Sequence, residues 1–320
     1  MSTELTEESP WVSRFWGWAE ERFPPANCIL FFILFATSVL FARVISSSGT
    51  IQIDLGLDIL RFVGFLGFFF LLRVFDEHKD YELDCVNHPQ RVLQRGLITL
   101  THLKILGGIA VLIQAVVTLV IDGGVGLVTQ TWLLTIIWAS LMAKEFFIGE
   151  WLEKRLFLYA FSHMIVMPMA IVWGMHLGTD GIALPQSILV LAFFSFFSGF
   201  TGEIAHKLKT PAQEIDTIDS YTKAFGTRNA PLVVMGLMLI QVAFFYQTLA
   251  LIFADGVGIV WMAIVVVVFL GGCVPFIKFW KDPTQEELPK KMEDSAGGVM
   301  GVFYLMIITA IVLERGLAFA

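Results

Sequence analysis

The chain alternates between long apolar runs and polar connections along its whole length. Nine of the runs are close to the length, roughly 20 residues, that an α-helix needs to cross the hydrocarbon core of a bilayer. These runs cover residues 26–45, 57–75, 104–121, 126–146, 156–177, 183–202, 231–253, 257–277 and 297–317. The pattern predicts an all-α integral membrane protein in which residues 1–320 form one domain within the lipid bilayer.

The connections between these runs differ in charge. Four of them, at residues 46–56, 122–125, 178–182 and 254–256, are short and carry no Lys or Arg, whereas the other four are longer and basic. Positive charge marks the cytoplasmic side of a membrane protein. We therefore expect the N-terminal segment 1–25 on the cytoplasmic side and the C-terminus on the opposite side, as an odd number of spans requires.

The two longest polar connections, residues 76–103 and 203–230, follow the second and the sixth apolar run. They are four helices apart and share the cytoplasmic face. This spacing predicts two four-helix repeats of parallel sense, with one additional helix at the N-terminus. The connection 278–296 is polar and contains Pro283 and Pro289, so we expect it to be a solvated loop.

Composition supports a membrane protein and argues against other classes. Hydrophobic residues make up 57% of the chain and charged residues only 15%, which is too little polar surface to cover a soluble core of this size. The net charge of −7 argues against nucleic acid as a partner, because phosphate binding needs a basic face. Three widely separated cysteines, Cys28, Cys85 and Cys273, indicate neither a disulfide framework nor a zinc site.

The first polar connection begins with a row of carboxylates. Asp76, Asp80 and Asp84 are spaced i, i+4, i+8, so on a continuing helix they share one face and repel one another. A cation would relieve the repulsion, and Mg²⁺ prefers a few carboxylates together with substrate phosphate oxygens. A solvated, charged helix end is the alternative interpretation of the same row. Glu77 points elsewhere on this helix, and we expect it to be solvated.

The residues after the aspartates extend the pattern. The segment reads Asp84-x-x-Asn87-x-Pro89-x-Arg91-x-Leu93, followed by Gly96 and Ile98-Thr99. It resembles the first signature of the UbiA superfamily of intramembrane prenyltransferases, which runs Asn-Asp-x-x-Asp-x-x-x-Asp and then Asn-x-Pro-x-Arg-Pro-Leu. Asp80 and Asp84 fall on the last two aspartates of that signature, while Asp76, Glu77 and Val92 replace its asparagine, its first aspartate and its second proline.

The resemblance covers nearly the whole chain, because nine spans with polar segments after the second and sixth match the layout of that superfamily. It implies a helical bundle around a central cavity and Mg²⁺ as cofactor, held by Asp76, Asp80 and Asp84. It also implies an isoprenyl diphosphate as substrate. The diphosphate contacts expected in the first segment are Lys79, Asn87 and Arg91.

The second polar connection departs from the superfamily, which carries another aspartate-rich motif there. Glu203 is its one early acid, and His206, Lys207 and Lys209 stand where acids are expected. In one interpretation Glu203 still holds a metal together with a later acid, either Glu214 or Asp216. In the other, lysines contact the diphosphate directly, as point charges suited to phosphate. We favour a mixed site, with Glu203 as a metal ligand and Lys207 and Lys209 as phosphate contacts; a basic loop that obeys the positive-inside rule is the alternative.

The leading functional hypothesis is a membrane prenyltransferase whose catalytic residues are Asp76, Asp80, Asp84 and Glu203. It would alkylate an aromatic or lipid acceptor that the sequence does not identify, at a site open to the cytoplasm. The altered second segment also suits a terpene cyclase of the same superfamily. Such an enzyme ionises the same diphosphate, and a double bond of the prenyl chain then attacks the cation within the same molecule. A transporter is less consistent with the sequence, because its acids cluster at helix ends and not at mid-bilayer. His163, inside a span, is a further polar candidate.

Overall fold

The computed structural model describes residues 5–215 and 219–320, which form fourteen α-helices and two short strands. The first eight elements are α1 (Trp11–Arg22), α2 (Pro25–Ser46), β1 (Ile51–Ile53), α3 (Leu55–Lys79), α4 (Tyr81–Asn87), α5 (Leu100–Asp122), α6 (Leu127–Ala143) and α7 (Gly149–Glu153). The remaining eight are α8 (Leu156–Met164), α9 (Val166–Gly178), α10 (Leu189–His206), α11 (Tyr221–Phe225), α12 (Asn229–Ile252), α13 (Ile259–Lys281), α14 (Leu288–Arg315) and β2 (Leu317–Phe319).

The long helices confirm the predicted all-α membrane bundle. Within the part of the chain that the structure describes, eight helical segments are long and apolar enough to cross a membrane, counting α8 with α9 as one. The shorter apolar helix α6 completes the nine predicted runs. Long apolar helices satisfy their own backbone hydrogen bonds, which is the requirement that lipid imposes on a spanning segment.

The two halves of the bundle pair their helices in the same order. In the first half α3 packs against α5, α5 against α6 and α6 against α9. In the second half α10 packs against α12, α12 against α13 and α13 against α14. The additional N-terminal helix α2 packs against α9 and α14, the last helix of each half. This arrangement agrees with two four-helix repeats plus one helix.

The connection 278–296 is not the solvated loop that its polarity predicts. Helix α14 begins at Leu288 with Pro289 in its first turn, a position where the missing N–H of proline is tolerated. Leu288, Met292 and Ala296 are spaced i, i+4, i+8, and all three are buried. Their packing against the bundle extends the last helix nine residues before the predicted start.

The aspartate row is also not carried on one continuing helix. Helix α3 ends at Lys79, and Asp80 (φ −92°, ψ 3°) separates it from the short helix α4. Asp76 and Asp84 therefore lie on opposite sides of a break in the helix, although the Asp80 and Asp84 N–H groups still bond to the Asp76 and Asp80 carbonyls at 2.9 Å and 2.8 Å. The sequence did not indicate this break, because no glycine or proline marks it.

The N-terminal segment 1–25 contains the helix α1, which packs directly on the first polar connection. Trp18 is fully buried there among apolar residues from the end of α3 and from the loop that leads to α5. Glu21 accepts a hydrogen bond from the Val92 N–H at 2.9 Å, and Arg14 donates to the Leu97 carbonyl at 3.1 Å. Helix α1 therefore forms one wall of this segment.

The opposite face of the bundle is closed by a small parallel ribbon. Strand β1 pairs with β2 through Ile51 opposite Leu317, so the end of α14 lies beside the connection that follows α2. Beneath the ribbon, Asp58 binds the guanidinium groups of both Arg43 and Arg61 at 2.6 Å. A cavity of about 640 Å³ lies between these residues and the α9–α10 connection. This face is built from different residues than the two long polar segments.

Candidate active site

The three predicted metal ligands of the first segment have different environments. Asp76, in the last turn of α3, is 48% exposed and lies 3.5 Å from Arg73. Asp80 is half-buried, and among the described residues its carboxylate makes no hydrogen bond or ion pair. Asp76 and Asp80 are close enough to repel each other electrostatically. These two carboxylates are therefore the pair that is most available to a cation.

Asp84 is instead held by arginines. Its carboxylate accepts a 2.8 Å hydrogen bond from Arg91 and lies 3.6 Å from the guanidinium of Arg22. Arg91 thus contacts the aspartate, as an organiser of the loop would. Asn87, at the end of α4, is exposed. Asn87 and Arg91, two of the three diphosphate contacts predicted in the first segment, therefore lie close to Asp84, and Arg91 already binds it.

Glu77 is buried and paired, contrary to the expectation that it is solvated. It is 2% exposed and forms a 2.5 Å ion pair with Arg22. Burial alone would lower the pKa of Arg22, but the hydrogen bond and charge of Glu77, helped by Asp84, raise it. A buried charge needs such a partner because desolvation is costly. Arg22 was missed from the sequence because it lies 55 residues away on a helix that had not been predicted.

Lys79 reaches away from the aspartates toward residues of the first half of the bundle. Its ammonium forms a 2.5 Å ion pair with Glu145 and donates a hydrogen bond to the Tyr159 hydroxyl. The same ammonium lies 5.0 Å from the centroid of the Tyr159 ring, at the hydroxyl edge of the ring and not over its face, because it binds the hydroxyl. Burial would raise the pKa of Glu145, but Lys79 outweighs it and lowers that pKa.

The second polar segment reaches the same tyrosine. Lys207, just after α10, forms a 2.6 Å ion pair with Glu203, and its ammonium lies 5.6 Å from the Tyr159 ring centroid. The two polar segments, more than one hundred residues apart in the sequence, therefore meet at Tyr159. Asp80 and His163 belong to the same neighbourhood, because Asp80 acts electrostatically on Tyr159, and Glu203 on His163.

The later part of the second segment is occupied by its own hydrogen bonds. Glu214 accepts hydrogen bonds from Ser220 at 2.6 Å and from Thr222 at 2.5 Å, so it fastens the loop and is not paired with Glu203. The backbone N–H of Lys209 donates to Thr222 at 3.1 Å, while among the described residues its ammonium has no ion-pair partner. Asp216, the other candidate ligand, lies outside the described residues.

Two aromatic residues complete the site. The ring of His163 stacks on Tyr159 with centroids 4.0 Å apart, and its Nδ1 lies 2.8 Å from the Tyr159 carbonyl. Tyr221 is fully buried and donates a hydrogen bond to the Leu156 carbonyl. Burial, and then the negative charge of Glu203, raise the pKa of Tyr221. Glu145 and Tyr159 were not predicted, because each lies in an apolar run or at its end and is brought to the site only by folding.

The four predicted acids are not gathered into one metal cage. Among residues 5–215 and 219–320, no three His, Cys, Asp or Glu side chains lie together in a way that could hold a metal ion. Asp76 and Asp80 nevertheless fit a Mg²⁺ ion that takes its other ligands from a diphosphate and water, which is the usual composition of such sites. Asp84 and Glu203 are neutralised by Arg91 and Lys207. Magnesium binding remains a prediction.

No protein family model and no curated protein matches this sequence. A solved structure does match: digeranylgeranylglyceryl phosphate synthase in membranes, with a TM-score of 0.67 and 17% identity over 94% of this chain and 99% of the synthase. The synthase is a membrane prenyltransferase of the UbiA superfamily. The likeness confirms, at the level of the fold, the resemblance that the first segment indicates. The chain therefore has the fold of the UbiA superfamily of membrane prenyltransferases.

Proposed function

We propose that this protein is a Mg²⁺-dependent membrane prenyltransferase that ionises an isoprenyl diphosphate and transfers the prenyl group to an acceptor. The observation that carries the proposal is the position of two ammonium groups, Lys79 at the hydroxyl of Tyr159 and Lys207 near its ring, in the neighbourhood of the carboxylates Asp76 and Asp80. Such a site combines positive charge for a diphosphate with oxygen ligands for its metal.

The chemistry follows from these charges. The allylic C–O bond breaks when the negative charge that develops on the leaving diphosphate is stabilised. Lys79 and Lys207 supply donors for its oxygens, and bound Mg²⁺, held by Asp76 and Asp80, would neutralise further charge. Arg91 and Arg22 hold Asp84 and Glu77 in place, so that the loop keeps its shape. The Tyr159 ring offers a π face that stabilises nearby positive charge.

The fold neighbour and the lipid that surrounds the bundle suggest which donor and acceptor to test first. The neighbour is a digeranylgeranylglyceryl phosphate synthase, so geranylgeranyl diphosphate and a prenylated glyceryl phosphate are the first pair to test. A lipid acceptor also suits a site that opens from within a membrane bundle. Aromatic acceptors form the second panel, because the second polar segment differs from the pattern of the superfamily.

The deciding experiment uses purified protein in lipid nanodiscs. Prenyl diphosphates of several chain lengths are incubated with Mg²⁺, with and without acceptors, and the products are identified by mass spectrometry. Prenylated acceptor that disappears on chelation with EDTA supports the proposal. A cyclic hydrocarbon or alcohol formed without acceptor would support the terpene cyclase instead, and no consumption of any diphosphate would refute both.

The same proposal places the N-terminus and both polar segments on the cytoplasmic face. Support comes from the basic character of these segments and from the packing of α1 on the first segment. Cys85, in α4, is exposed, whereas Cys273 is buried and Cys28 is only partly exposed. A membrane-impermeant maleimide should label Cys85 in inside-out vesicles and not in right-side-out ones; the reverse result would invert the orientation.

A further inference from the structure

The turn between α6 and α7 has an unusual backbone. Glu145, Phe146 and Phe147 have φ values of 48°, 55° and 60°, which place three consecutive residues in the left-handed region. None of them is glycine, and side chains with a Cβ disfavour this region. Strain of this kind persists where surrounding contacts enforce it, and it concentrates at functional sites. Contacts around this turn must therefore hold it in the left-handed conformation.

Contacts on both sides hold the turn. The Phe146 ring lies between the rings of Trp138 and His163, with centroid distances of 5.2 Å and 6.0 Å. On the other side, the Glu145 carboxylate occupies the space where a Cβ on Gly149 would be. Glycine at position 149 thus leaves room for this carboxylate. The local sequence and the strained backbone both serve to place the Glu145 side chain.

The placed carboxylate binds Lys79. The ammonium of Lys79 has three N–H donors; it forms a 2.5 Å ion pair with Glu145 and donates a hydrogen bond to the Tyr159 hydroxyl. The third donor remains for a substrate oxygen. A lysine at this point of the chain, one residue before Asp80 and three after Asp76, would otherwise be free to pair with those acids. Glu145 draws its ammonium to the Tyr159 side of the site.

We propose that Glu145 is a positioning residue that fixes the Lys79 ammonium beside Tyr159, so that its remaining N–H is directed at the diphosphate of the substrate. This inference rests on the proposed function. A flexible lysine loses rotamer freedom when it binds a phosphate. Glu145 orders the Lys79 side chain before the substrate arrives. Less rotamer freedom is then lost on binding, and the diphosphate binds more tightly.

The test measures the affinity of the full-length protein in nanodiscs for an unreactive geranylgeranyl thiodiphosphate by titration calorimetry. Glu145→Ala and Gly149→Ala should each weaken binding by about tenfold, the loss expected for one charge-assisted hydrogen bond. Gly149→Ala displaces the carboxylate without altering any charge. Glu145→Gln should have a smaller effect, because its amide oxygen still accepts a hydrogen bond from Lys79.

A double-mutant cycle separates positioning from a general structural role. In the background of Lys79→Ala, the change Glu145→Ala should weaken binding no further, since Glu145 acts through that lysine. Glu150→Gln, an exposed acid one turn away, is the matched control and should bind like wild type. Should Glu145→Ala fail to fold by circular dichroism, Glu145→Gln and Gly149→Ala carry the test.

The outcomes are distinguishable. Wild-type affinity or tighter binding in Glu145→Ala and Gly149→Ala would overturn the inference while leaving the proposed function intact, and tighter binding would show that Glu145 competes with the diphosphate. Equal losses with and without Lys79 would also overturn it. Failure of the wild-type protein to bind any prenyl diphosphate would overturn the proposed function itself.

Discussion

Arg22, the last residue of α1, forms a 2.5 Å ion pair with Glu77, which is 2% exposed in the last turn of α3. This contact joins the N-terminal helix to the first polar segment. The same guanidinium lies 3.6 Å from Asp84, so one arginine holds two acids on both sides of the break at Asp80. The shape of the segment therefore depends on a helix that lies outside the membrane spans.

Removing Arg22 should destabilise the protein and its active site together. Arg22→Gln leaves the Glu77 carboxylate buried without its partner, which costs about 3 kcal/mol for a buried ion pair. We expect a lower thermal midpoint and reduced prenyl transfer, measured by a thermal unfolding assay in detergent and by product formation. Arg228→Gln, at an exposed position, is the matched control. An unchanged midpoint in Arg22→Gln would refute the role of this ion pair.

Asp80 and Asp84 should respond differently to amide substitution. Asp80→Asn should abolish turnover at an unchanged thermal midpoint, because the Asp80 carboxylate has no ion-pair partner among the described residues. Asp84→Asn should lower both turnover and stability, because Arg91 loses a 2.8 Å charge-assisted bond. Glu82→Gln, exposed between them, should resemble wild type. Near-normal turnover of Asp80→Asn in Mg²⁺ would show that the site assignment is wrong.

The ring and the hydroxyl of Tyr159 should contribute separately. Tyr159→Phe keeps the ring face beside Lys207 but removes the acceptor of the Lys79 hydrogen bond. Tyr159→Leu removes both, and the cation–π contact with Lys207 is worth about 0.5–1 kcal/mol. We expect KM for the prenyl diphosphate to rise in Tyr159→Phe and to rise several-fold more in Tyr159→Leu. Equal KM values for the two variants would exclude a role for the ring.

The network on the opposite face should matter for stability alone. Asp58→Asn removes the carboxylate that binds Arg43 and Arg61, each at 2.6 Å, and Arg61 is 2% exposed. The expected loss is at most about 3 kcal/mol, the cost of breaking a buried pair, because Arg61 keeps its ion pair with Asp180. Asp255→Asn, at an exposed loop position, is the control. The surviving folded fraction should bind the prenyl diphosphate with wild-type affinity, and a change in that affinity would contradict the separation of the two faces.

The link between Glu145 and Lys79 should weaken in acid. Because Lys79 lowers the pKa of Glu145 in the folded state despite its burial, the pair contributes stability above the ordinary glutamate pKa, and that contribution is lost as the pH falls through the lowered value. The difference in thermal midpoint between wild type and Glu145→Gln should be present at neutral pH and should close as the pH falls below about 4. A difference independent of pH would assign the effect of the substitution to packing.

The spans and the first polar segment were predictable because their signals are local. Apolar runs of membrane length specify helices wherever they lie, and the aspartates and the Asn87–Arg91 pattern are read directly from the sequence. The start of α14 was predicted too late because Leu288, Met292 and Ala296 are hidden among polar residues, and only their burial shows that they form one face. Local polarity therefore misplaced a boundary that packing decides.

The sequence by itself determined that this chain is a membrane bundle with two polar segments at one face. The length of an apolar run and the charge of a connection depend only on residues that are neighbours in the sequence. Tertiary structure alone decided that Lys79 and Lys207 both reach Tyr159 and that Arg22 neutralises Glu77. It also decided that Glu145 reaches Lys79 from a left-handed turn. The physical reason is that such pairings, and the strain they sustain, arise from contacts between residues far apart in the chain, which no local pattern records.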